Sequence, residues 1–185
     1  THDRMDVNGR ERYFGGNAVK DSVINAGDGN NTITITSDYP FNPNVTSNDT
    51  IGGYSMAAVN NSKIITGSGN DSITINAKAF TFNSPYEVIR DNAIYATTIA
   101  TGAGSDTVTI NGEVNWNNVI ALGNTTTGAD TDASQKDDVN LLTLNSSQVW
   151  HSAIYGSAGT DIINALGAQF AGMTVATGAG SDSVT

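Results

Sequence analysis

The residues in this chain whose spacing could do chemistry sit in copies of one glycine turn. Gly67-Ser-Gly69-Asn-Asp71, Gly102-Ala-Gly104-Ser-Asp106 and Gly178-Ala-Gly180-Ser-Asp182 share the pattern Gly-x-Gly-x-Asp. Gly27-Asp28-Gly29 leads to Asn31 at the acidic position, and Gly156 to Asp161 reads as the same turn with one residue added. Glycine at alternate positions permits φ > 0, which turns backbone carbonyls toward the aspartate. Carboxylate and carbonyl oxygens make a hard ligand set that suits Ca²⁺ over Zn²⁺ or copper. A single copy is only a tight turn with a solvated aspartate. Repetition changes its meaning, because aspartates stacked about 5 Å apart repel and need a proton or a cation.

The turns are positioned by alternating segments: Thr32-Ile33-Thr34-Ile35, Ser72-Ile73-Thr74-Ile75 and Thr107-Val108-Thr109-Ile110 each have the period of two of a strand. Gly102 to Gly123 is 21 residues and Gly156 to Gly178 is 22. These spacings give a coil of about 20 residues. The reading is an all-β, right-handed parallel β-solenoid over 21–185, preferred to a β-sandwich with glycine-rich hairpins. Residues 1–20 are an N-terminal cap or linker. Longer spacings are insertions at 38–62, 77–95 and 124–136, the first carrying Pro40 and Pro43, which cannot sit in a central strand. Stacking then predicts inward columns through Ile33, Ile35, Ile73, Ile75, Val108 and Ile110, and an outward column through Thr34, Thr74 and Thr109. Asn76, Asn111, Asn145 and Asn164 form a corner ladder. Asp71, Asp106, Asp138, Asp161 and Asp182 form one file. The best helix candidate is Glu87 to Ala96.

Composition narrows the function. The chain has 18 acidic against 8 basic residues, a net charge of −10 and a sequence pI near 4.2, which excludes the basic footprint of a nucleic-acid binder. There is no cysteine, hence no disulfide or thiolate metal site. No apolar run is long enough to insert in a membrane. The sequence begins with Thr1 and stops inside a repeat copy, so a fragment is expected, with more chain or another subunit stacked on the last coil. His2 and His151 are the only histidines, and neither a His-Glu-x-x-His nor a Gly-x-Ser-x-Gly motif is present, so no enzyme is expected. Two alternatives stand beside that expectation. One is a β-helix enzyme modifying polysaccharides. The other is an adhesin that binds carbohydrate through the exposed aromatics Trp116, Trp150, Tyr39, Tyr54 and Phe41, or ice through the threonine array, which breaks at Asn140 and Ile162.

The triplets Gly67-Gly69-Asp71, Gly102-Gly104-Asp106 and Gly178-Gly180-Asp182, each followed by Ile73, Val108 or Val184, resemble the RTX family of Gly-Gly-x-Gly-x-Asp-x-U-x repeats. The resemblance implies Ca²⁺ held between coils by Asp71, Asp106, Asp161 and Asp182 with the neighbouring backbone; Asp138, from the stacked file, and Asp28, near Asn31, are further acidic candidates. It also implies a protein secreted by a type I system to the bacterial cell surface, with a structural role in an S-layer, filament or adhesin shaft. The expected partners are identical subunits, adjoining domains or cell-surface polysaccharide. The chain departs from that family in three ways. Thr66, Thr101 and Thr177 replace the leading glycine. The first copy has Asn31. The second edge, at Asn111-Gly112-Glu113 and Ala165-Leu166-Gly167, lacks the motif. A degenerate, one-edged version is therefore expected.

Overall fold

A computed structural model describes residues 3–7, 10–14, 17–37, 50–51, 57–77, 80–81, 88–89 and 92–185. Six coils stack, and each contributes one strand to each of three parallel six-stranded sheets. The first sheet takes Val19–Lys20, Ala57–Asn60, Asn92–Tyr95, Glu113–Asn115, Gln148–Trp150 and Gln169–Ala171 in spatial order. The second takes Val23–Asn25, Lys63–Ile65, Thr98–Ala100, Val119–Ala121, Ala153–Tyr155 and Thr174–Ala176. The third takes Thr32–Ser37, Ser72–Ala77, Thr107–Asn111, Val139–Asn145, Thr160–Asn164 and Ser183–Val184. This is a parallel β-solenoid. Thr98 pairs with Val119 and Ala153 with Thr174, so an uninterrupted coil is 21 residues. Among the described residues, no helix is long and apolar enough to cross a membrane.

The core is built from stacked columns. Ile64, Ile99, Ile120 and Ile154 fill the second sheet's inward column, and Ile73, Val108, Leu142 and Ile163 one of the third sheet's, all fully buried. Each such side chain contributes about 1.5–3 kcal/mol through burial alone. No coil could bury these residues by itself, so stacking and folding are one event. The columns run out at the sixth coil, where Phe170, Val175 and Val184 are exposed. A separate antiparallel pair, Asp3–Val7 with Arg10–Phe14, is extended by Thr50–Ile51.

Several sequence expectations need correction. Glu87–Ala96 is not a helix: Val88–Ile89 and Asn92–Tyr95 are strands. The coils begin earlier than expected, because Val19–Lys20, Ala57–Asn60 and Asn92–Tyr95 belong to the first sheet and not to a cap or insertions. Asn164 pairs with Thr143 and stands in the threonine column, while Asn76, Asn111 and Asn145 form the ladder, with side-chain bonds of 2.6 Å and 2.7 Å. The threonine column therefore runs unbroken through Thr34, Thr74, Thr109 and Thr143. The turn at Gly156 carries no extra residue: Tyr155 to Ile162 and Ala176 to Ser183 are equal in length. Its Gly-x-Gly positions are held by Ser157 and Gly159. Tyr39, Phe41 and Tyr54 lie outside the described residues.

Candidate metal centre

The turns between the second and third sheets stack into a single edge. Strand register fixes the file at the acidic position as Asn31, Asp71, Asp106, Asn140, Asp161 and Asp182. Asp138 is not a member. It precedes the file residue by two positions, and its Oδ2 accepts a 3.0 Å bond from the Gly104 N–H. Segment 124–136 shifts the sequence phase before the strand resumes, which is why spacing pointed to the wrong carboxylate.

Close backbone approach explains the glycines. A Cβ on Gly102 would meet the Gly67 carbonyl oxygen at 2.0 Å, and one on Gly104 would meet the Gly69 oxygen at 2.2 Å. Gly178 and Gly180 are equally confined, against the carbonyl oxygens of Ser157 and Gly159. Gly67 would run into the Asp28 carboxylate at 2.5 Å, while Gly69 would meet the carbonyl carbon and oxygen of Gly29 at 2.6 Å. The repeated glycines are therefore a condition of stacking.

The file side chains serve the neighbouring backbone. Asp71 Oδ1 accepts from the Asn31 N–H at 2.7 Å, Asp106 Oδ1 from the Asp71 N–H at 2.8 Å, and Asn140 Oδ1 from the Asp106 N–H at 2.9 Å. Asp182 Oδ1 accepts from the Asp161 N–H at 3.0 Å. A second ladder runs the other way through the preceding residue: Asn30 accepts from the Asn70 N–H, Asn70 from Ser105 and Ser105 from Val139. Asn30, Asn70 and Ser105 were missed in the sequence, though a short polar acceptor before the file residue in the first three coils was the signal. Asp28 lies outside the file. Its Oδ1 accepts from the backbone N–H and hydroxyl of Ser68, which lower its pKa.

What remains for a ligand differs along the file. Asp71 and Asp106 are 2% and 0% exposed, and the Oδ2 atom of each has no hydrogen-bond partner in the protein. The buried Thr101 hydroxyl lies beside Asp106 and favours its charged form, though without the geometry of a full hydrogen bond. Burial pushes the Asp106 carboxyl up to about 7. The Asp71 N–H and Thr101 pull it back, and the charges of Asp71 and Asp138 add to the rise. The Oε1 atom of buried Gln135 is unpaired too, while its amide nitrogen donates to the Gly102 carbonyl at 3.0 Å. Asp161 is satisfied instead. Its Oδ1 accepts from Asn140 Nδ2 at 3.0 Å, and its Oδ2 from the Ser157 N–H at 2.8 Å. Burial raises its pKa, opposed by the Ser157 N–H and Asn140, with the Asp182 charge adding.

In donor chemistry the Asp71–Asp106 turn suits a hard cation: two buried carboxylate oxygens lack a protein partner, and the Thr101 hydroxyl lies beside one of them. The Asp161 turn does not, since donors already occupy both its oxygens. Among the described residues, no three acidic or histidine side chains converge as a metal-binding group, so backbone or solvent oxygens would have to complete the six to eight that Ca²⁺ takes. No protein-family model, curated protein or solved structure matches the chain.

Proposed function

We propose that this solenoid is a structural segment of a secreted bacterial surface protein, an S-layer, filament or adhesin shaft, stiffened by Ca²⁺ at the Asp71–Asp106 turn. The observation that carries the reading is the pair of buried, unpaired carboxylate oxygens on adjacent coils. Burial and the neighbouring Asp71 and Asp138 charges disfavour the ionised form of Asp106, and a cation between the coils would favour it. A structural role is supported because Asp71, Asp106 and Asp182 each give one carboxylate oxygen to the backbone of a neighbouring coil. Self-association, through identical subunits or adjoining domains, belongs to the same proposal.

Calcium titration of chelator-treated protein, followed by far-ultraviolet circular dichroism, thermal unfolding and light scattering, tests it. The Tm should climb with free Ca²⁺, by the logarithmic law for a ligand that binds only the folded state. Scattering that grows with Ca²⁺ supports assembly. A Tm indifferent to both calcium and chelator would make the file a purely protein-bonded ladder and sink the metal reading.

A further inference from the structure

One corner column breaks the regularity of the solenoid. Between the first and second sheets the chain turns through a left-handed residue in each coil: Asp21, Asn61, Ala96, His151 and Gly172. The fourth coil has two in a row, Trp116 and Asn117, with φ of 58° and 57°. It also has one more residue there. Four residues separate Val114 from Val119, where three separate their partners Val149 and Ala153. Such a backbone is disfavoured for non-glycine residues, most of all a bulky one, and locally costly conformations are kept where they aim a side chain.

The side chain aimed is an indole. The Trp116 ring lies on the His151 imidazole, centroids 4.3 Å apart and 17° from parallel, and Trp116 remains 41% exposed. The imidazole is itself supported from the next coil: a Cβ on Gly172 would come within 2.6 Å of His151 Nδ1, so only glycine leaves room for the ring. The adjacent outward column places Tyr95, Asn115 and Trp150 side by side in register. Asn115 Oδ1 is a buried acceptor with no partner, while its Nδ2 bonds Asn92. A propped, flat and exposed aromatic face suits a molecule with an apolar C–H face.

We infer that the Trp116–His151 corner is a carbohydrate-binding platform that takes a neutral saccharide by stacking on the indole. The stacked rings leave no gap between them for a cationic group to enter. The corner column offers no Lys or Arg, and the chain's net charge of −10 disfavours an anionic glycan. This site is independent of the acidic file.

Only two tryptophans are present, so indole N–H resonances and intrinsic fluorescence read the site directly. Cellohexaose, maltohexaose, mannohexaose and chitohexaose would be titrated into the intact chain in turn. At least one should shift the Trp116 indole resonance saturably. Trp116→Ala should weaken that sugar at least about tenfold, Trp116→Phe should retain most of the binding, and His151→Ala should weaken it by a smaller factor. Circular dichroism of each variant separates lost binding from lost fold. No saturable shift with any of the four sugars, or equal binding by a folded Trp116→Ala variant, would overturn the assignment.

Discussion

Asp106 and Asp161 occupy the same position of the same turn, two coils apart, yet they are opposite cases. Asp161 has a donor for each oxygen: Asn140 on one side and Ser157 on the other. Asp106 has the Asp71 N–H on Oδ1 and no full hydrogen bond on Oδ2, with only the Thr101 hydroxyl beside it. The difference comes from two substitutions in the repeat. The fourth coil puts Asn140 where aspartate is expected, and an amide donates where a carboxylate cannot. The fifth coil has Ser157 at the first glycine position, which adds a hydroxyl 3.4 Å from Asp161 Oδ2 to the backbone N–H already there. The same motif thus yields a saturated carboxylate in one place and a donor-starved pair in another, so a consensus repeat does not by itself define an ion site.

The strongest way to break this contrast is Asp161→Ala. It strips the partners from a buried N–H and a buried amide, and should cost about 3 kcal/mol or more, read as a fall in the urea midpoint with m unchanged. The loss should be the same with and without calcium. A smaller and opposite effect is expected at the other turn. Asp106→Asn keeps an oxygen for the Asp71 N–H and removes a buried charge, so in chelator at pH 8 it should stabilise by about 1–2 kcal/mol. It should also erase any gain from calcium, whereas Asp161→Asn should destabilise in either condition. Equal responses at the two positions would dissolve the distinction.

The gentlest probe is pH. The folded-state pKa of Asp106 is raised to about 7 from an ordinary value of 3.8, so between those values the folded state binds more protons than the unfolded one. Its contribution to stability is therefore fully present near pH 4, falls as pH rises toward 7, and changes little above it. Asp161 adds in the same direction. Urea midpoints across that window in chelator should decline with pH. The slope should flatten in Asp106→Asn and with calcium present. A profile identical in wild type and Asp106→Asn would mean the carboxyl is not titrating in this range.

The contrast also shows how far the sequence could be read. The third sheet was legible, since Thr-Ile-Thr-Ile alternation sits beside strict glycine spacing, and both signals follow from one strand stacked on its copies. The file was legible at Asp71, Asp106, Asp161 and Asp182 for the same reason. It failed at Asn140, because the insertion at 124–136 erases local phase and only pairing of Leu141 with Thr107 restores it. The first sheet was invisible: strands such as Glu113–Asn115 are too short to show a period. The donor supply around each carboxylate could not be read either, because it depends on which side chain the coil above presents.

The 21-residue coil has a mechanical consequence. Hydrogen bonds between coils point along the stack, so a pull on its two ends loads every coil boundary in series, and the weakest yields first. Freeing one uninterrupted coil of 21 residues would release roughly 70 Å of chain at about 3.3–3.6 Å per residue, while shortening the stack by only about 4.8 Å. A shaft made this way would lengthen in discrete steps under load and would absorb work at each one. An ion bound between Asp71 and Asp106 would raise the force at which that one boundary yields.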